Sequence, residues 1–294
     1  MRNLSEVETV IAPLRKSMIA GSWYSGHPSE LRAQIDRFFD QASPQQIPGE
    51  VVGLLAPHAG YAYSGQVAAC AYKLIRGRTY DAVIVVGPSH RASFRGVSVF
   101  NRGGYETPLG IVPVHAELAD EIAAQSSVVS VLPDAHMQEY NAIEIQLPFL
   151  QRALGQFHFV PLIMADQRAD TCEQLARAIV HAAGHRKVLL VASSDLSHDY
   201  AYEEAVRMDG IALRCMQKMD APGLLMELAK GATEACGGGP SAVVIMAARK
   251  LGADRAEILK YENSGDVVGD RRSRIVGYAS VAFYRSLPAD DLSQ

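Results

Sequence analysis

Short, unbroken apolar runs that alternate with helical patterns constrain this chain more than any other feature. Residues 51–56 read VVGLLA, residues 82–87 read AVIVVG and residues 188–192 read VLLVA. Continuous rather than alternating hydrophobicity marks strands buried on both faces, as in a largely parallel sheet covered by helices. Helices are predicted over 29–42, 65–77, 116–126, 141–154, 171–183, 202–219, 222–231 and 240–251, the last ended by Gly252. In the first of them Leu31, Ile35, Phe38 and Phe39 share one face. Further strands are expected at 97–100, 157–163, 258–261 and 276–283, with Pro161 pointing to an edge or a bulge. The last strands can join as antiparallel additions. The predicted fold is α/β, with a largely parallel, mixed central sheet and helices on both faces.

A chain of 294 residues lies near the upper size of a single hydrophobic core, roughly 250–300 residues. One domain over 1–294 is therefore expected, with 1–14 a loose N-terminal arm. The formal net charge is −4. The densest basic cluster, Arg271, Arg272 and Arg274, is flanked by Asp266 and Asp270 and reads as a solvated turn. No nucleic-acid partner is expected, because phosphate binding needs a concentrated basic patch. No apolar run approaches the length that spans a bilayer, and the first residues lack a continuous apolar signal segment. A cytoplasmic protein without a membrane partner is the expectation. Cys70, Cys172 and Cys215 lie in helical patterns and read as small core residues.

Three histidines follow strand ends. The first run leads into Pro57-His58, the second into Pro88-Ser89-His90, and the third into Ser193-Ser194-Asp195-Leu196-Ser197-His198. Ligands of open α/β sheets bind at the carboxyl ends of the strands. If these strands are neighbours, three imidazoles and Asp195 converge on one crevice. Imidazole is the commonest metal ligand and the usual general base near neutral pH. His27, His115, His136, His158, His181 and His185 read instead as surface or helix-end residues. Cys236 sits in the glycine-rich loop 233–240, ahead of an apolar helix. It can be a nucleophile, a metal ligand or an incidental loop residue, and the loop itself can be an anion nest. No GxxxxGK[ST] is present, which argues against an NTPase. In 57–65, PHAGYAYSG, Gly60 and Gly65 allow unusual backbone angles or close approach, and Tyr61 and Tyr63 can wall a pocket.

PHAGYAYSG, GPSH at 87–90, SSDLSH at 193–198 and the Cys236-Gly237 loop together resemble the Memo family. Its bacterial and archaeal members are called AmmeMemoRadiSam system protein B. AGSWY at 20–24, IEIQLPFLQ at 143–151, YENSGD at 261–266 and VGYAS at 276–280 agree with it, so the likeness runs from about residue 15 to 285. The resemblance implies a fold similar to the class III extradiol dioxygenases, whose non-haem iron is held by two histidines and a glutamate. In the Memo family a cysteine takes the glutamate's place. Carried over, His58, His90 and Cys236 are the expected metal ligands, and Asp195 and His198 the expected catalytic pair for proton transfer. Tyr61, Asn141 and Glu144 are the expected substrate-binding residues.

The resemblance implies one divalent or redox metal, iron or copper, with zinc as a further candidate. The partner is a small molecule or peptide, with radical-SAM and AMMECR-type proteins as the associates that the family name implies. Three departures stand out: Asn141 where many members carry histidine, Asp199 where an aromatic residue is common, and Ser17 in place of a common proline. Three activities are compatible with these residues. They are a mononuclear redox metalloenzyme, a metal-free thiol enzyme (Cys236 nucleophile, His198 base, Asp195 orienting group), and a non-catalytic pocket for a ligand or partner.

Overall fold

The buried runs are neighbouring strands of one sheet. The computed structural model describes residues 13–287 apart from Gln45. In chain order its first half comprises β1 (Leu14–Arg15), α1 (Pro28–Gln41), β2 (Gly49–Ala56), α2 (Tyr61–Lys73), β3 (Ala82–Pro88), β4 (Val97–Val99), β5 (Gly104–Thr107), β6 (Gly110–Pro113), α3 (Ala116–Gln125), β7 (Val129–Val131) and α4 (Pro133–Gln138). A 3-10 turn, Glu144–Gln146, leads into α5 (Leu147–Leu154), β8 (Phe159–Met164), α6 (Ala169–Ala183), β9 (Val188–Ser193), β10 (His198–Tyr200) and α7 (Tyr202–Gln217). The chain continues through α8 (Ala221–Ala229), α9 (Gly238–Lys250), β11 (Arg255–Asn263), α10 (Ser264–Val268) and β12 (Ile275–Ser286).

The main sheet has the order β10-β12-β2-β9-β3-β8-β4-β7, with β11 on β12. Its centre, β2-β9-β3-β8, is parallel, while β10, β11 and β12 join antiparallel and β4 runs antiparallel to β8. Every residue of β3, β8 and β9 is buried, which is why their sequences show no alternation. One group of helices, α1, α2 and α5, packs together over the β2 and β12 side. A second group, α3, α6, α8 and α9, covers β9 and β3. Helix α9 is buried along almost its whole length, from Gly238 to Ala248, and forms the floor of the second layer. A separate three-stranded sheet, β1-β5-β6, lies beside the main one. No described helix is long and apolar enough to cross a membrane.

Four expectations need correction. Pro161 lies inside the sheet, between β3 and β4, not at an edge. Its missing N–H is tolerated because β4 pairs only Leu162 to Met164, so the ladder on that side ends one residue short of the proline. The continuous helix predicted over 141–154 is instead a loop, the 3-10 turn and α5. Pro148, the second residue of α5, has no backbone N–H to donate to the Glu144 carbonyl, so an α-helical ladder cannot run unbroken through this point. Leu14, expected in the N-terminal arm, belongs to a strand instead, because Leu14 and Arg15 pair with Gly104 and Tyr105. Residues 1–12 of that arm lie outside the described residues. His136 is fully buried in α4, where its Nδ1 meets the Tyr105 hydroxyl at 2.6 Å.

Burial pushes the His136 imidazole down to about 3. The unfolded chain takes up this proton near pH 6.5, while the folded chain does so only near 3. Stability is therefore fully present above 6.5 and falls as the pH drops, by about 1.4 kcal/mol per pH unit for one proton. Replacing His136→Gln should flatten the dependence of unfolding free energy on pH between 6 and 4 by about one proton. Urea titrations at several pH values measure that slope, and an unchanged slope would show that His136 is not the group responsible.

Candidate metal centre

Strands β2, β9 and β3 are adjacent and end nearly level, with Ala56 beside Ser193 and Val86 beside Ala192. The segments that follow them therefore open on one crevice. Pro57-His58 leaves β2, Asp195 follows β9, and His90 follows β3. The fourth contributor arrives from the opposite direction. At Gly237 a Cβ would collide with the Ser193 carbonyl and the Ser194 side chain. Glycine there lets the loop before α9 lie directly on the end of β9. The Gly237 N–H donates to Ser194 Oγ at 2.9 Å, and this seats Cys236 beside Asp195. Close approach, rather than flexibility or anion binding, explains the glycine-rich run.

His58 is 2% exposed. Its Nε2 lies 2.9 Å from Cys236 Sγ, and its Nδ1 3.1 Å from Ser193 Oγ. Its backbone N–H donates to Asp195 Oδ1 at 2.8 Å. The His90 ring stands edge-on to that of His58, with centroids 5.1 Å apart at 89°. The buried Glu139 carboxylate accepts from the His90 backbone N–H at 2.6 Å and holds Nδ1 at 3.1 Å, which leaves Nε2 as the free ring nitrogen. Donor atoms of His58, His90 and Cys236 all lie within 4.8 Å of one another. The Asp195 N–H donates to Cys236 Sγ at 3.3 Å.

Burial, with the charges of His90 and His198, pushes the His58 imidazole well below its usual range, so it is neutral. Burial and the neighbouring Asp195 charge hold the Cys236 thiol well above the usual range. Burial lifts Asp195 to about 6, against the pull of the His58 N–H. Glu139 is raised by burial, but its bonds to His90 outweigh this and leave it below its usual value. The crevice thus offers a neutral imidazole at His58, a shielded sulfur and one carboxylate able to hold a proton near neutrality.

The structure brings His58, His90, Cys236, Asp195 and Asn141 together. Asn141 is buried; its Nδ2 donates to the His58 carbonyl at 3.3 Å, and its Oδ1 has no partner among the described residues. His198 sits at the rim, a third exposed, with Nδ1 3.3 Å from Glu234 Oε1. Glu234, not Asp195, orients it. Tyr61 is buried in the aromatic core against Tyr24 and Phe149, and its hydroxyl donates to the Ile145 carbonyl at 2.8 Å. Glu144 is buried too, and its carboxylate is saturated by Arg15, Ser17, Tyr24 and the N–H groups of Met18 and Ile19. Neither side chain faces the crevice, so the expectation that they bind substrate gives way to a structural role. Sequence reasoning missed Glu139 and Ser193, the partners that orient the two imidazoles. The available signal was an acid two residues before Asn141, since a histidine ligand usually donates its other N–H to a carboxylate or similar acceptor.

Residues 15–282 match the family described as Memo-like protein. The chain belongs to the Memo family. Curated Memo relatives include MEMO1 family protein MK0963 of Methanopyrus kandleri, 35% identical over 92% of this chain and 99% of that protein. The MEMO1 family protein of Sulfolobus acidocaldarius is 36% identical over the same shares. The one from Methanobrevibacter smithii is 37% identical over the same shares. The Memo chain is also similar in fold to the uncharacterized protein JW3007 of Escherichia coli K12, with a TM-score of 0.52 at 15% identity. That likeness covers 80% of this chain and all of that one, and concerns the mixed α/β fold alone.

Proposed function

We propose that this Memo-family protein is a mononuclear redox metalloprotein that holds one iron or copper ion between His58, His90 and Cys236 and acts on a small molecule. The observation that carries this reading is the approach of the three donor atoms to within 4.8 Å of one another. The donor set fits such a group, with two imidazoles and one sulfur. Imidazole suits copper, iron and zinc, and thiolate draws the preference toward softer ions. The unpartnered Asn141 Oδ1 adds a buried acceptor beside the same crevice. Bound iron or copper would supply one-electron and dioxygen chemistry.

The protein's own groups divide the remaining work. Ser193 and Glu139 keep the two imidazoles turned inward. Asp195, lifted to about 6, can hold a proton at Oδ2, which lies 4.0 Å from His58 Nε2. His198, with Nδ1 engaged by Glu234, offers Nε2 at the partly exposed rim for proton exchange with solvent. A metal-free thiol enzyme is disfavoured by two observations. The Cys236 thiol is held protonated by burial, and its imidazole neighbour is His58, not His198.

Elemental analysis of anaerobically purified protein, followed by metal titration, tests the proposal. Wild type should take up about one ion per chain, because the crevice holds one group of donors, and His58→Ala should take up none. Stoichiometric metal retained by His58→Ala would remove this histidine from the account.

A further inference from the structure

The glutamine of IEIQLPFLQ, Gln146, has no place in the function so far, and it bonds the serine that turns His58 inward, Ser193, the first of SSDLSH. Both are buried, and both lie directly behind His58. The hydrogen bonds among them admit one assignment of hydrogens.

The chain starts at Tyr72, a fully buried residue whose hydroxyl meets Gln146 Oε1 at 2.8 Å. An amide oxygen only accepts, so the Tyr72 hydroxyl donates. The opposite end of the Gln146 amide faces the Pro57 carbonyl at 3.0 Å and Ser193 Oγ at 2.8 Å. Turning the amide over would set its oxygen against that carbonyl, so the NH2 group belongs there and Ser193 Oγ accepts from it. Ser193 Oγ also lies 2.5 Å from the Ala142 carbonyl. A carbonyl only accepts, so the single hydroxyl hydrogen of Ser193 is committed to Ala142. One lone pair of Ser193 Oγ remains, and it faces His58 Nδ1 at 3.1 Å. Nδ1 must therefore carry the ring hydrogen. The neutral ring then presents an unprotonated Nε2 to the crevice, 2.9 Å from Cys236 Sγ.

We propose that Tyr72, Gln146 and Ser193 form a positioning chain that fixes His58 in its Nδ1–H tautomer and so aims a bare Nε2 at the metal centre. The role assigned to Nε2 rests on the proposed metal site; the tautomer itself does not. The device differs from that at His90, where the Glu139 carboxylate accepts from Nδ1 directly. At His58 a neutral hydroxyl does so, and it can accept only because its own hydrogen is committed elsewhere.

The test is a long-range proton–nitrogen correlation spectrum of metal-free protein labelled with 15N-histidine, recorded near neutral pH for wild type and Ser193→Ala. In wild type, His58 should show a protonated Nδ1 and an unprotonated Nε2. In Ser193→Ala the Nε2–H form should appear. Zinc affinity, read by competition with a chelator, should fall by about 10–100-fold, the usual effect of losing a partner that orients a ligand. Wild-type His58 protonated at Nε2 overturns the proposal, and needs no variant to fold. Ser193→Ala that keeps the Nδ1–H form and its zinc affinity overturns it as well. Failure of the metal reading looks different: wild type would show the Nδ1–H form and take up no zinc.

Discussion

Replacing Arg15 by methionine should lower the unfolding free energy by about 3–5 kcal/mol, the usual cost of stranding one partner of a buried ion pair. Arg15 is 2% exposed. Its Nη1 lies 2.5 Å from Glu144 Oε2, its Nε donates to the His136 carbonyl at 2.8 Å, and its Nη2 donates to the Glu139 carbonyl at 2.5 Å. Losing it leaves a buried carboxylate without its counter-charge and frees the segment that carries Glu139. The midpoint of thermal unfolding should drop by roughly 10 °C for a chain of this size. The double variant Arg15→Met with Glu144→Gln should be less destabilised than Arg15→Met alone, because no charge is then left buried and the amide oxygen still accepts from Ser17, Tyr24 and the Ile19 N–H. Denaturant titration of the three proteins measures this. A single variant as stable as wild type would show that the pair does not hold the N-terminal strand β1 to the 139–144 segment.

Replacing Cys236→Ala should weaken metal binding by more than about 100-fold, since losing a partner that only orients a ligand already costs about 10–100-fold. The loss should be greater for soft ions than for hard ones, because thiolate is the donor that favours copper and zinc over manganese. Competition titrations with zinc and manganese read both effects. The fold should tolerate the change, because Cys236 lies in a loop and is the smaller partner in its contacts with His58 and Asp195. Equal loss for both ions would mean that the sulfur supplies no selectivity.

The sheet was legible because strands buried on both faces leave continuous apolar runs, and β2, β3 and β9 carry such runs. Their adjacency was not: nothing in the residues says that β9 lies between β2 and β3, and that placement is what turns three strand ends into one crevice. Short strands escaped for a simpler reason. β1, β5, β6 and β7 have two to four residues each, too few for a periodicity. Histidines at strand ends announced themselves by position, as did Cys236 beside its glycines. Glu139 did not, because an acid on a turn looks the same whether it faces water or an imidazole. Tyr61 and Glu144 mislead in the opposite sense. They sit in or beside the same motifs as the ligands, yet their groups are consumed by the core and by the N-terminal segment. His136 resembles a surface histidine in sequence, and only the packing of Tyr105 and Phe100 around it shows that it is buried.

X-ray absorption at the metal edge of zinc-loaded protein tests the central claim most directly. The account predicts one sulfur at about 2.3 Å and two imidazole nitrogens at about 2.0–2.1 Å, with the sulfur lost in Cys236→Ala. A zinc environment of oxygen and nitrogen alone in wild type would contradict it.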